Sequence, residues 1–151
     1  MTHEATARQA RILSSGIIPV HFGPEGPVYL LLRCYQYWDF PKGGVHEGEE
    51  PLAAAERELE EETTLTGAQF RWGHEYRETE PYSRGKIARY YLAEVSSQEV
   101  SLPVVPSLGV PEHHEFRWVD YRQARALVSA RVRPILDWAH AKIAASARRS
   151  P

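Results

Sequence analysis

Cysteine is almost missing from this chain. The single Cys34 can form no internal disulfide. That excludes a disulfide-stapled secreted scaffold and fits a reducing compartment. Cys34 itself reads as a small buried apolar residue in a strand rather than a nucleophile. Long hydrophobic runs are missing too. No apolar stretch reaches the ~18 residues that a membrane-spanning helix needs. The opening "MTHEATARQARILSSG" has no apolar segment of the signal-peptide kind. The expected location is therefore cytoplasmic. There is also no large charge excess: 18 Lys and Arg against 20 Asp and Glu leave a formal net charge of −2. No global field draws such a protein to a nucleic acid or a membrane surface. Internal repeats and basic runs interleaved with aromatics are absent.

What is present is ordinary globular material, 42% hydrophobic and 25% charged, enough for a core of its own. The length of 151 residues predicts one domain over 1–151, with residues 1–10 and 147–151 as frayed ends. "SSGIIPVHF" and "GPVYLLLRCYQYWDF" read as strands joined at the turn "GPEG". A Pro-Gly-Gly loop follows. Pro51 suits the first position of a helix, and "PLAAAERELEEE" is rich in helix formers. "AQFRWGHEYRET" and "GKIARYYLAEV" read as strands around "EPYSRG", and "SLPVVPSLGVPEHH" as a proline-rich loop. "EFRWVD" is a short strand, "YRQARALVS" a helix, and "VRPILDWAHAKIAASA" a C-terminal helix. Together they predict an α/β sandwich.

One local excess stands out. Eight glutamates fall within the sixteen residues from Glu47 to Glu62. On the helix, Leu52, Ala55 and Leu59 form the core stripe, and Glu58, Glu61 and Glu62 share another face. Each like-charge pair costs about 0.2–0.5 kcal/mol. Glu61 and Glu62 also sit at the negative end of the helix dipole, at roughly 0.3–1 kcal/mol each. A bound divalent cation reverses both penalties, and carboxylates are the ligands that Mg²⁺ and Mn²⁺ prefer. A solvated acidic face would carry compensating cations four residues on, and here Arg57–Glu61 is the only such pair. Glu47, Glu50, Glu56 and Glu60 are read as that solvated set and left out of the site.

The stretch resembles a Nudix box: Gly, five residues, Glu, seven residues, then Arg-Glu-apolar-any-Glu-Glu-any-Gly-apolar. Gly43, Glu49, Arg57, Glu58, Leu59, Glu61, Glu62 and Leu65 match, and Thr64 stands where the family has Gly. A Gly just past a helix end commonly serves a left-handed cap, for which Thr is poorly suited. The resemblance implies the Nudix α/β/α sandwich, with a mixed central sheet and the box helix packed on it. It implies a hydrolase of nucleoside diphosphate linkages in which Glu58, Glu61, Glu62 and the carbonyl of Lys42 bind Mg²⁺, with Mn²⁺ able to substitute. Arg57 and Glu49 orient the glutamates, and a metal-activated water attacks phosphorus.

Three flanking segments resemble those of diadenosine-tetraphosphate hydrolases. "WDFPKGG" carries their Pro-Lys-Gly entry, which implies Lys42 and Gly43 at the substrate. "GKIARYYLAEV" resembles their Lys-aromatic strand. Alternation puts Lys86 and Tyr90 on one face, so the resemblance implies Lys86 on phosphate and Tyr90 lining the nucleoside pocket. "PEHHEFRWVD" resembles their late Glu-His…Arg-Trp segment, which implies Glu112 as a further ligand or the base, with Glu115 competing. Either Glu58 or Glu112 takes the proton. His113 and His114 are read as exposed loop histidines, and Trp72, Tyr76 and Tyr82 as packing.

The expected activity is asymmetric cleavage of diadenosine tetraphosphate to ATP and AMP. The alternatives are a pyrophosphohydrolase of RNA 5′ ends or nucleoside triphosphates, and a module that senses a nucleotide without turnover. The expected partner is a small nucleotide, or an RNA 5′ end under the first alternative.

Overall fold

The structure is a computed structural model that describes residues 12–149. Among the described residues, nine strands and three helices follow in the order β1 (Ile12–Gly23), β2 (Gly26–Cys34), β3 (Tyr37–Asp39), β4 (Lys42–Gly44), α1 (Pro51–Thr63), β5 (Tyr76–Glu78), β6 (Lys86–Glu94), β7 (Val104–Val105), β8 (Val110–Pro111), β9 (Glu115–Val119), α2 (Tyr121–Leu127) and α3 (Arg133–Arg149). The sheet runs β3-β2-β1-β6-β5, with β4 also on β1 and β9 also on β2. Strands β1 and β6 pair in parallel from Ile12–Lys86 to Val20–Glu94, and the other pairs are antiparallel. The sheet is mixed, as expected.

Period-two alternation splits the apolar strand residues between two cores. Ile17, Leu30, Leu32, Tyr91 and Ala93 pack with Ala55 and Leu59 of α1. Ile18, Val20, Tyr29, Leu31, Ala88 and Tyr90 pack on the other side with Ala124 of α2 and Leu136 and Ala139 of α3. The result is the expected α/β/α sandwich.

Several local expectations are revised. Strand pairing at the aromatic run breaks at a turn, where Tyr35 takes a positive φ of 55°, so that run supplies both β2 and β3. The Pro-Lys-Gly-Gly segment becomes strand β4, with Lys42 opposite Gly16. Gly16 has no choice of side chain, because a Cβ there would meet the Pro41 carbonyl at 2.3 Å. The segment "AQFRWGHEYRET" contributes only the short β5 and an isolated bridge between Gln69 and Glu94. The proline-rich loop folds into the separate hairpin β7–β8. Helix α3 continues to Arg149, so residues 147–149 are helical rather than frayed. Residues 1–10, 150 and 151, also expected to fray, lie outside the described residues.

Helix α1 starts at Pro51, and its Ala55 and Leu59 are buried as the spacing predicts. Ser15 of β1 donates from Oγ to the Pro51 carbonyl at 2.6 Å, tying the helix start to the sheet. The helix ends at Thr64, which is left-handed with φ 66° and donates its N–H to the Glu60 carbonyl. The cap geometry that favours Gly is therefore formed by a β-branched residue.

Candidate active site

The glutamates are arranged around one guanidinium. Arg57 Nε donates to Glu49 Oε2 at 2.8 Å and its Nη2 to Glu49 Oε1 at 3.0 Å, a two-pronged pair. Its Nη1 reaches Glu58 Oε1 at 2.8 Å and Glu61 Oε2 at 3.2 Å. Nη2 also donates to the Gly44 carbonyl at 2.9 Å. Glu49 is fixed in turn by the His46 N–H at 3.0 Å. The Arg57 fork holds the Glu49 carboxyl down to about 2, with the His46 N–H contributing less. Only a planar fork reaches three carboxylates and a carbonyl at once. Arg57 thus ties Glu49, Glu58 and Glu61 together. The four glutamates assigned to solvent, Glu47, Glu50, Glu56 and Glu60, are all exposed.

Glu62 lies apart from that guanidinium. It is 7% exposed, and its Oε1 accepts the Lys42 N–H at 3.1 Å. Burial pushes its carboxyl up to about 9, and the charges of Glu112 and Glu58 add to the shift. A buried carboxylate facing two others is a site that lacks positive charge.

Glu112 arrives from far along the chain. Glu62, Glu112 and His113 offer ligand atoms that all lie within 4.8 Å of one another. Glu115, the competing residue, turns away into pairs with Arg33 at 3.0 Å and Arg117 at 2.8 Å. The loop holding Glu112 is fastened to the end of β2 at three points. His114 N–H donates to the Arg33 carbonyl at 2.8 Å, and Tyr35 N–H to His114 Nδ1 at 3.1 Å. The Cys34 thiol donates to the Glu112 carbonyl at 3.6 Å. Cys34 is therefore partly exposed beside the site, not the buried apolar residue its composition suggested. His113 is half-buried in the cluster, which corrects its reading as an exposed loop residue.

These groups line a cavity of about 320 Å³. One wall is Glu58, Glu61, Glu62 and Lys42, and the other is Glu112 and His113 with the β7–β8 hairpin. Gly43 is also part of it, since a Cβ there would strike the Glu58 carboxylate. The donors are hard oxygens with one imidazole, a set that fits a divalent cation.

Lys86 and Tyr90 do not line this cavity. Alternation does put them on one face, but Ala88 and Tyr90 point into the α2–α3 core, away from α1. The expectation for Tyr90 is corrected: its ring is 0% exposed and offers no face to a nucleoside. Its hydroxyl instead donates to Asp39 at 2.8 Å. Burial raises the Asp39 carboxyl above its ordinary value, and the Lys42 ammonium 3.9 Å away opposes this. Sequence reasoning gave no role to Gly16 or to Asp39, although Asp39 lies within the quoted "WDFPKGG", and it named His113 beside Glu112 but read it as an exposed loop residue.

A family model described as the NUDIX domain matches residues 14–139. An RNA pyrophosphohydrolase from Shewanella loihica is 34% identical over 98 residues, 56% of this chain and 56% of that protein. The chain thus spans little more than half the length of that relative. One from Bartonella henselae is 28% identical over 131 residues, 71% of this chain and 76% of that one. Among solved structures, an Ap4A hydrolase from C. elegans superposes with a TM-score of 0.69 at 23% identity, covering 91% of this chain and 98% of that one.

Proposed function

The chain belongs to the Nudix family, and from that premise we propose a divalent-metal-dependent hydrolase that splits a dinucleoside polyphosphate, diadenosine tetraphosphate giving ATP and AMP. The observation that carries this reading is the meeting of Glu112 with Glu62, two carboxylates fifty positions apart in the chain. The "WDFPKGG" entry resembles that of the same hydrolases and supports the choice of substrate.

Glu58, Glu61, Glu62, Glu112 and the Lys42 carbonyl would hold the ions. Mg²⁺ there, or Mn²⁺ in its place, would neutralise the polyphosphate oxygens and acidify a water. Arg57, locked on Glu49, keeps Glu58 and Glu61 from rotating out of position. Gly43 keeps the backbone close to Glu58. In the reaction the water oxygen forms a bond to phosphorus as the bridging P–O bond breaks, and the nucleotide phosphate leaves with the bond's electron pair. Glu58 is committed to Arg57 at 2.8 Å. Glu112 is exposed and in no salt bridge among the described residues. We therefore assign the water's proton to Glu112.

A second reading, hydrolysis of the pyrophosphate at an RNA 5′ end, is favoured by the name of the Shewanella and Bartonella relatives. The deciding experiment offers both substrates with Mg²⁺ to the wild type and Glu61→Gln, with products separated by chromatography. Release of ATP and AMP by wild type alone is expected. Turnover of triphosphorylated RNA but not diadenosine tetraphosphate moves the assignment to the second reading. Tight nucleotide binding with no turnover of either makes the protein a sensing module.

A further inference from the structure

Lys42 shares the active-site cavity with four carboxylates, those of Glu58, Glu61, Glu62 and Glu112. An ammonium on a flexible four-carbon stem should fold onto them, because unlike charges attract strongly where water is partly excluded. It does not. Among the described residues the one ion pair of Lys42 is with Asp39, whose Oδ2 lies 3.9 Å from Nζ and which does not line the cavity. Glu62 feels the charge of Lys42, yet its carboxylate accepts the Lys42 backbone N–H.

We propose that Asp39 is a positioning residue that tethers the Lys42 ammonium away from the glutamates, leaving them to the metal and the ammonium to a substrate phosphate. The inference rests on the reading of the glutamates as a metal site and deepens it.

Two features suit Asp39 to this role. Its carboxylate is fixed. The Phe40 N–H donates to Oδ1 at 2.7 Å, and the Tyr90 hydroxyl reaches Oδ1 at 2.8 Å and Oδ2 at 3.0 Å. Tyr90 is packed in turn, fully buried with its ring edge-on to Phe40 at 5.8 Å between centroids. The hold on Lys42 is also loose. A separation of 3.9 Å is too long for a hydrogen bond, so the ammonium is attracted without being locked. A phosphate oxygen entering the cavity can take it over at closer range. Without the tether, Lys42 would neutralise Glu62 or Glu112 and compete with a cation for the same oxygens.

The test is a double-mutant cycle on Asp39→Asn and Lys42→Met, which keep side-chain shape and the Lys42 carbonyl. Mn²⁺ binding to metal-free protein is followed by electron paramagnetic resonance. Asp39→Asn is expected to weaken Mn²⁺ binding about tenfold with Lys42 present, and by less than about twofold in the Lys42→Met background. Its KM for diadenosine tetraphosphate should rise only where Lys42 is present. Tyr90→Phe keeps the carboxylate but unfastens it, and should show the same dependence on Lys42 at a smaller factor; it carries the cycle if Asp39→Asn fails to fold by circular dichroism. A structural role, or the charge of Asp39 acting alone, weakens Mn²⁺ binding by the same factor in both backgrounds. That result overturns the tether and leaves the metal site standing. The expected coupling in a protein that does not cleave diadenosine tetraphosphate upholds the tether and overturns the substrate. No Mn²⁺ binding by wild type overturns the metal site and the tether with it.

Discussion

The carboxylate of Glu58 occupies the space that a side chain on Gly43 would fill: a Cβ there would stand 2.2 Å from its carboxyl carbon. The strand β4 and the helix α1 approach closely at this point because one partner has no side chain. Gly43→Ala is expected to displace Glu58 and break its contact with Arg57. We expect kcat to fall by at least about tenfold, the order associated with disturbing a group that supports ligands. Thermal stability of the apo protein should change much less, since the displaced carboxylate can turn towards the cavity. Steady-state kinetics beside a melting curve checks this, and wild-type kcat in the variant would sink it.

Arg57 neutralises a cluster that would otherwise repel itself. Arg57→Lys keeps the charge but loses the fork that spans Glu49, Glu58 and Glu61. A drop in activity of about 10–100-fold is expected, with a larger drop for Arg57→Ala. Divalent metal should recover more melting temperature in Arg57→Ala than in wild type, because the ion replaces the missing positive charge. Equal metal-induced shifts in the two proteins would count against the clustered arrangement.

Glu62 predicts an unusual pH dependence. Its carboxyl is raised from 4.5 to about 9, by burial first and by Glu112 and Glu58 after it. An acid with a raised folded pKa favours the protonated folded state. Its stabilising contribution is complete below 4.5 and is lost as pH rises towards 9. The metal-free protein should therefore weaken across that window, with a slope from this one group of at most about 1.4 kcal/mol per pH unit. Divalent metal, which binds the ionised form, should cancel the loss, and Glu62→Gln should flatten the metal-free profile. Denaturant unfolding at several pH values checks the sign. A metal-free stability that climbs from pH 5 to 9 in wild type, and not in Glu62→Gln, would contradict it.

Thr64 sits at φ 66° with a branched side chain. Left-handed backbone costs a non-glycine residue roughly 1–2 kcal/mol, partly offset by the unfolded-state entropy that glycine adds. Thr64→Gly should stabilise the fold by about 0.5–1 kcal/mol. Since Thr64 supplies no site ligand, kcat should stay within about twofold. A destabilised variant would show that the Thr64 hydroxyl, 2.5 Å from the Thr63 carbonyl, outweighs the backbone strain.

Much of the site was legible because its logic is local. The spacing of Glu58, Glu61 and Glu62 on one helix requires only helical periodicity, and Arg57 and Glu49 lie within one turn and one loop of them. The sandwich was legible for the same reason, since alternating and helical apolar patterns each demand a covering layer. Tyr90 shows where this reasoning stops. Alternation correctly joined it to Lys86, but periodicity alone does not say which face of a two-sided sheet meets the box helix. Packing of Ala88 and Tyr90 under α2 and α3 decided that.

By itself the sequence determined the box helix, its core stripe and its carboxylate face, because these follow from spacing within one element, whereas the left-handed backbone at Thr64 came from the structure. Tertiary structure decided what spacing could not: that Glu112, the residue favoured by resemblance, meets Glu62 while Glu115 turns to Arg33, that His113 joins them, and that Asp39 and Tyr90 share a hydrogen bond. Those choices depend on how β2 and β9 pair and on where the Tyr35–His114 latch closes. No spacing along the chain encodes the distance between groups brought together only when separate strands pair and pack.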